Sequence, residues 1–347
     1  MMKIIADRYQ PTGNASWGGS GELNECYDLN LSRKVMLKRV LKTADFSRLL
    51  DEQKALLKLR SKHVVQLLDV VKFPYAGTEI TCLVLEYIEG TDLDKLKFAA
   101  DADYQKLLWQ IATGISEIHG AGVIHRDIKP QNIRRDHNGV VKIFDFGLAR
   151  ETGKDDKTRS ISGTLGYMAP ELFGTSTISF SSAVDVYAFG RTALSLLGHA
   201  PPNDKPLPIV PGTIFSAHPT LNASVCQVLE QCLEHKPANR PSMKDVATTL
   251  GQDLLRDKHR ARIIMNGTPH ELNANKRSLR IKSGVGNVRI DYDGNQFVVS
   301  QVTGDVFINN QRVMAGTKML AACVITIGSG NSRAFVTFAV SNPEIMA

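Results

Sequence analysis

The sequence predicts an α+β protein in three parts: a small sheet carrying one helix, a mainly helical middle, and a small all-β module. Three observations predict it. Short apolar runs of strand length fill residues 9–87, with a single helical pattern among them; from residue 102 apolar side chains recur at helical spacing; and beyond Leu255 β-rich runs alternate with turn signals. At 347 residues the chain has material for about two domains and at least one large core. With 43% hydrophobic and 22% charged residues the composition is that of a folded chain, not a disordered one. A net charge of +7 fits a solvated surface as well as acidic or phosphorylated partners, and by itself selects neither.

In the first part, VMLKRV (35–40) and CLVLEYI (82–88) read as strands and DEQKALLKLR (51–60) as a helix. Upstream lies SWGGSGEL (16–23), whose glycines suit either a phosphate cradle or an ordinary turn. A dinucleotide-binding fingerprint needs a helix directly after such glycines, whereas NECYDLN leads into another strand, so that reading is set aside. In the middle part Leu107, Leu108, Ile111, Ile115 and Ile118 form one helical stripe over 102–119, and further helices are predicted near 182–197, 221–234 and 242–256. The Lys-, Arg-, Asn- and His-rich stretch over 257–278 reads as a basic linker. It lacks the aromatic interleaving of a nucleic-acid binder, so a solvated tether is predicted. Residues 279–347, with VRIDY, QFVVS, DVFINNQRV, VITIG and AFVTFAV separated by DGN, NN and GSGNS, close the chain as an all-β module.

The five cysteines, Cys26, Cys82, Cys226, Cys232 and Cys323, form no C-x-x-C pair, and neither a disulfide framework nor a zinc site is indicated. The N-terminal residues read as no signal peptide, and no apolar run is long enough to span a membrane. A cytoplasmic protein without membrane partners is expected.

The chemistry is carried by VIHRDIKPQNIRR (123–135), VKIFDFGLAR (141–150) and GTLGYMAPE (163–171). HRDxKxxN, then DFG, then APE, in that order and at this spacing, resembles the eukaryotic-like protein kinase superfamily over residues 9–256. The resemblance implies a bilobal fold, with an N-lobe of antiparallel sheet plus one helix over about 9–87 and a mainly helical C-lobe over about 88–256. It also implies ATP with magnesium, or manganese, as cofactors and proteins as substrates. Phosphoryl transfer asks the protein mainly to hold nucleotide, metal and hydroxyl in line and to neutralise charge.

By this resemblance Asp127 is the catalytic base, and Asn132 and Asp145 hold the metal. Lys129 lies in D-x-K-x-x-N, which, with Thr164, resembles the Ser/Thr form; dual specificity is the alternative. Lys38 of VMLK would bind the α and β phosphates with Glu52 as its partner, while Asp51 would point roughly 100° away around the helix. Met36 stands where the family usually has alanine against the adenine. The register from Lys38 puts Leu23 over adenine, with Gly21, Gly18 and Ser16 at the third, second and first glycine positions and Gly19 adding freedom. An altered but working phosphate loop is expected. The hinge resemblance of LVLEYIEGTDL makes Leu85 the gatekeeper, gives Glu86 and Ile88 backbone contacts to adenine, and sets Asp92 near the ribose. Glu171 and Arg240 are expected to pair as scaffold, and Asp185 to brace the catalytic loop.

Arg126 before the catalytic Asp implies a pocket for a phosphate on the activation segment, with Thr158, Ser160 and Ser162 as acceptors by autophosphorylation; a solvated loop is the plainer reading. Residues 305–340 resemble the last strands of a forkhead-associated domain, but the Gly-Arg and Ser-Arg-x-His that bind phosphothreonine in that family are absent between Leu279 and Gly304. A degenerate forkhead-associated fold used for protein contacts or homodimerisation, an unrelated β-sandwich or barrel, and a true phosphopeptide reader are the three readings. The rival from another class is a pseudokinase or ATP-binding scaffold; it needs a missing catalytic group, and Lys38, Glu52, Asp127, Lys129, Asn132 and Asp145 are all present.

Overall fold

The computed structural model describes residues 4–18, 21–39, 46–75, 77–152, 157–158, 163–173, 178–179, 181–202, 215, 218–284, 286–330, 333–341 and 343–345. The chain forms two units, Met1–Leu250 and Gly251–Met346.

The first unit begins with strands β1 (Tyr9–Gly18), β2 (Gly21–Asp28), β3 (Arg33–Arg39), β4 (Leu67–Tyr75) and β5 (Thr78–Glu86), joined antiparallel in the order β1-β2-β3-β5-β4. Strand alternation sorts β3: Val35 and Leu37 pack with Tyr9, Cys26 and Val84 in one small cluster, while Met36 and Lys38 point to the other face. Helix α1 (Phe46–Lys58) buries Leu49, Glu52, Ala55 and Leu56, so a glutamate sits inside an apolar stripe at helical spacing. A carboxylate is costly there unless it is paired.

Helix α2 (Ala102–Gly120) starts at Asp101, whose carboxylate accepts from the Tyr104 N–H at 3.0 Å, and it buries Leu107, Leu108, Ile111, Ile115 and Ile118 as the sequence stripe implies. Around it lie the short strands β6 (Gly90–Asp92), β7 (Val123–Ile124), β8 (Ile133–Asp136), β9 (Val141–Ile143), β10 (Arg150–Glu151), β11 (Lys157–Thr158) and β12 (Ile178–Ser179). They form the sheet β6-β8-β9 and the pairs β7-β10 and β11-β12. Helix α3 (Ala183–Leu196) is buried along nearly its whole length, and α4 (Ala223–Cys232) and α5 (Met243–Leu254) follow. Among the described residues no helix is long and apolar enough to cross a membrane.

The second unit holds β13 (Ala261–Met265), β14 (Thr268–Leu272), β15 (Ser278–Ser283), β16 (Gly286–Tyr292), β17 (Phe297–Gly304), β18 (Val306–Ile308), β19 (Gln311–Arg312), β20 (Ala322–Ile327) and β21 (Ala334–Val340). They build a six-stranded sheet, β14-β13-β21-β20-β18-β19, and a three-stranded one, β15-β16-β17, all antiparallel. Ile263, Ile281, Ile290, Val299, Ile325 and Phe338 share one core, and Tyr292 stacks on Phe297 with ring centroids 4.6 Å apart.

The stretch 257–278, expected as a linker, contains two strands of the sheet. Residues 261–272 form the β13–β14 hairpin, and β13 pairs with β21 in the body of the sheet. Ala261, Ile263 and Leu272 are fully buried, while Arg262 and Glu271 face solvent, so a half-buried strand carries its charges on the outer side and its composition resembles a tether.

Candidate active site

Strand alternation and helix periodicity deliver three side chains to one point. Lys38 Nζ lies 2.7 Å from Glu52 Oε2 and 2.8 Å from Asp145 Oδ1. Lys38 is 3% exposed and Glu52 1% exposed, so neither can be solvated and each depends on the other. Burial works against the charge on Lys38, but the two carboxylates outweigh it and hold its pKa above the ordinary lysine value. Asp51, one residue away on α1, faces elsewhere and binds Arg150 Nη1 at 2.5 Å.

The loop after β7 is organised from beneath by Asp185, fully buried in the first turn of α3. Its carboxylate accepts the backbone N–H groups of His125 and Arg126, each at 2.8 Å, and lies 2.9 Å from His119 Nε2. Burial alone would lift its pKa, but His119, His125 and the Arg126 N–H lower it. Arg126 has φ +71° and Asp145 φ +64°, left-handed conformations that a β-carbon disfavours and that surrounding bonds must hold. His125 does part of this: its Nδ1 accepts the Asp127 N–H at 3.3 Å, which leaves Nε2 to donate to the Phe144 carbonyl at 3.2 Å. Burial keeps its pKa below the ordinary histidine value, in keeping with that neutral form.

On this frame four predicted side chains meet. Lys129 Nζ lies 2.7 Å from Asp127 Oδ2 and donates to Thr164 Oγ1 at 2.8 Å. Asn132 Nδ2 donates to Asp127 Oδ2 and to the Asp127 carbonyl, both at 2.8 Å, and Thr164 Oγ1 donates to Asp127 Oδ1 at 3.4 Å. Asp127 Oδ2 is therefore committed to a cation and an amide, while among the described residues Oδ1 has only the long hydroxyl contact. Asn132 spends its amide nitrogen on Asp127, which leaves Oδ1 as its acceptor. Asn132 Oδ1 and the Asp145 carboxylate are the two oxygen ligands expected from the sequence. Among the described residues no group of three or more His, Cys, Asp or Glu could hold a metal, and two protein oxygens suit a magnesium ion that completes its shell with substrate phosphates and water.

Among the residues expected at the nucleotide, Leu23 pairs with Lys38, and Met36 with Leu85, in adjacent strands. Ser16 lies in β1 opposite Leu23, and Gly18 and Gly21 pair at the ends of β1 and β2; Gly19 lies outside the described residues. The Glu86 N–H donates to the Gln66 carbonyl at 2.9 Å and its carboxylate binds Lys142 at 2.8 Å. Asp92 and the Ile88 carbonyl are both held by Arg134, at 2.7 and 2.9 Å. Sequence reasoning missed this arginine. Strand alternation could have found it, because Ile133 enters the core and Arg134 must then face the opposite side.

Arg126 is half-buried, and burial, then its neighbour Arg150, bring its pKa down to about 10. Thr158 lies in β11 opposite Ile178; Ser160 and Ser162 fall outside the described residues. Arg240, with a fully buried side chain, grips Glu171 through both nitrogens at 2.7 and 2.8 Å and lies over the Tyr187 ring, 5.0 Å from its centre.

Residues 13–250 match the family model of the protein kinase domain. The chain is 34% identical over 200 residues to cyclin-dependent kinase-like 2 of Rattus norvegicus, covering 55% of this chain and 38% of that protein. It is 28% identical over 276 residues to MAP3K epsilon protein kinase 1 of Arabidopsis thaliana, covering 75% and 20%, and 31% identical over 205 residues to G protein-coupled receptor kinase 2 of Drosophila melanogaster, covering 53% and 27%. The matched segments thus span between a fifth and two fifths of these relatives.

Proposed function

The chain belongs to the protein kinase family, and from that premise we propose that it is a serine/threonine kinase that transfers the γ-phosphate of ATP to protein hydroxyls. The observation that carries the reading is the Asp127–Lys129–Asn132–Thr164 cluster, in which every member is bonded to another.

In this mechanism Asp127 Oδ1, the less committed oxygen, accepts the substrate hydroxyl and takes its proton as the bond from that oxygen to the γ-phosphorus forms and the bond from the γ-phosphorus to the β–γ bridging oxygen breaks, with ADP as the leaving group. Lys129, fixed between Asp127 and Thr164, keeps a positive charge beside the transferring group. Lys38 is held charged by Glu52 and Asp145 so that it can bind phosphate oxygens without leaving its pocket. Magnesium, when bound, would neutralise the phosphates, and Asn132 Oδ1 and the Asp145 carboxylate are the groups to hold it. The threonine at 164 and the lysine at 129 support Ser/Thr over Tyr as acceptor.

Autophosphorylation at Thr158, Ser160 or Ser162 would place a phosphate within the sequence reach of Arg126 and Arg150, whose mutual repulsion it would relieve. The C-terminal unit is proposed to be a degenerate forkhead-associated fold that mediates protein contacts; its two antiparallel sheets, with first and last strands as neighbours, support that reading. The five buried free cysteines suit a cytoplasmic setting.

The test is incubation of the full chain and its Asp127→Ala variant with γ-labelled ATP, magnesium and a basic protein substrate, followed by acid hydrolysis. Label on phosphoserine or phosphothreonine that disappears in the variant supports the reading. Label on phosphotyrosine alone, or label undiminished in the variant, refutes it.

A further inference from the structure

Arg134 joins two of the proposed nucleotide contacts, Asp92 and Ile88, and nothing in the phosphoryl-transfer machinery requires it. Its position follows from register: in the β6-β8-β9 sheet Asp92 and Arg134 are direct partners across an antiparallel pair, where opposite charges support each other. The guanidinium then has three fixed points. Nε donates to Asp92 Oδ1 at 2.7 Å, Nη1 donates to the Ile88 carbonyl at 2.9 Å, and the group lies over the Phe144 ring, 5.6 Å from its centre. Only a planar fork satisfies directions this different at once; a lysine ammonium would reach one of them.

Asp92 has a second cation, Lys95, 3.2 Å from Oδ2, but that side chain is 66% exposed and is a weak anchor. Asp92 itself is 17% exposed and Arg134 30%, so the carboxylate is shielded but still within reach of a molecule approaching from solvent. Each carboxylate oxygen has two acceptor directions, and one cation on each leaves a further acceptor on both. Without Arg134, the carboxylate is free to turn toward Lys95 and solvent.

We infer that Arg134 is a positioning residue of the nucleotide pocket, which holds the Asp92 carboxylate for the ribose hydroxyls and thereby makes the site selective for ribonucleotides. The inference rests on the nucleotide-site reading given above. Its neighbour Arg135 supplies a matched control, because alternation turns it to the other side of β8, where it binds Asp103 on α2.

The experiment is calorimetric titration of the full chain, with magnesium, using ATP and its dideoxyribose analogue, which lacks both ribose hydroxyls. Loss of hydrogen bonds to a charged acceptor should weaken the analogue about tenfold in the wild type. In Arg134→Met the ratio should fall below about twofold, and in Arg134→Lys nearly as far, while Arg135→Met keeps the wild-type ratio. Asp92→Asn should lose the ratio too, and adding Arg134→Met to it should change nothing more. Thermal unfolding of each variant separates loss of selectivity from loss of fold. A tenfold ratio that survives in Arg134→Met or Arg134→Lys overturns the inference, as does a wild type that binds both nucleotides equally. A folded wild type that binds neither overturns the nucleotide-site reading itself.

Discussion

Glu171→Ala should be among the most destabilising single changes in the first unit, although Glu171 is predicted to take no part in the chemistry. The Arg240 side chain is fully buried, whereas that of Glu171 keeps 22% of its exposure. Truncating the glutamate strands a buried guanidinium. It would keep the Glu234 carbonyl at 2.7 Å, the Ala183 carbonyl at 2.9 Å, the His235 carbonyl at 3.2 Å and the Tyr187 ring, but no counter-charge. Breaking a buried pair on one side costs about 3–5 kcal/mol, and the carbonyls and partial exposure place this case near about 3. For a unit of this size that corresponds to a fall in Tm of roughly 6–12 °C. Calorimetry of Glu171→Ala, Arg240→Ala and the double variant would show the fall and a coupling above about 1.5 kcal/mol. A loss under about 1 kcal/mol, or additive single changes, would mean the pair is screened and the burial argument is wrong.

Other consequences are as direct. Gly90→Ala would drive a Cβ into the Arg135 carbonyl and to 2.7 Å from Asp136 Cα, so thermal denaturation should show a loss of about 1–3 kcal/mol, whereas Gly120→Ala, with nothing within 4 Å, should be tolerated. His63 and His125 are buried with pKa values held below their ordinary 6.5, by burial first in each case. The unfolded chain therefore binds more protons as pH falls below about 6.5, and the Tm of the first unit should be flat above about pH 7 and decline on acidification; a Tm that rises on acidification would contradict this. Phosphopeptide mapping of fully active enzyme should find phosphate at Thr158, Ser160 or Ser162, and an unmodified segment would remove the proposed switch.

How much of this was legible in the sequence varied by element, for physical reasons. The site residues around Asp127 and Lys38 were readable because phosphoryl transfer fixes residue type and spacing together, which is what the kinase resemblance reads. Glu52 was chosen over Asp51 by the spacing the kinase resemblance implies, with helix geometry turning Asp51 away, and the two carboxylates do face different partners. Residues 261–272 were hidden because a strand with one solvated face can have the composition of a tether. Arg134 was hidden inside the basic run IRR, where composition shows charge but only the register of β6 on β8 shows that it meets Asp92.

The central claim, that the Asp127 cluster performs the transfer, is tested most directly by single-turnover transfer of labelled γ-phosphate in Asp127→Asn, with ATP affinity measured on the same preparation. The rate should fall by about 10²–10⁴ while the affinity stays close to wild type. A rate within about threefold of wild type, with ATP still bound, would contradict it.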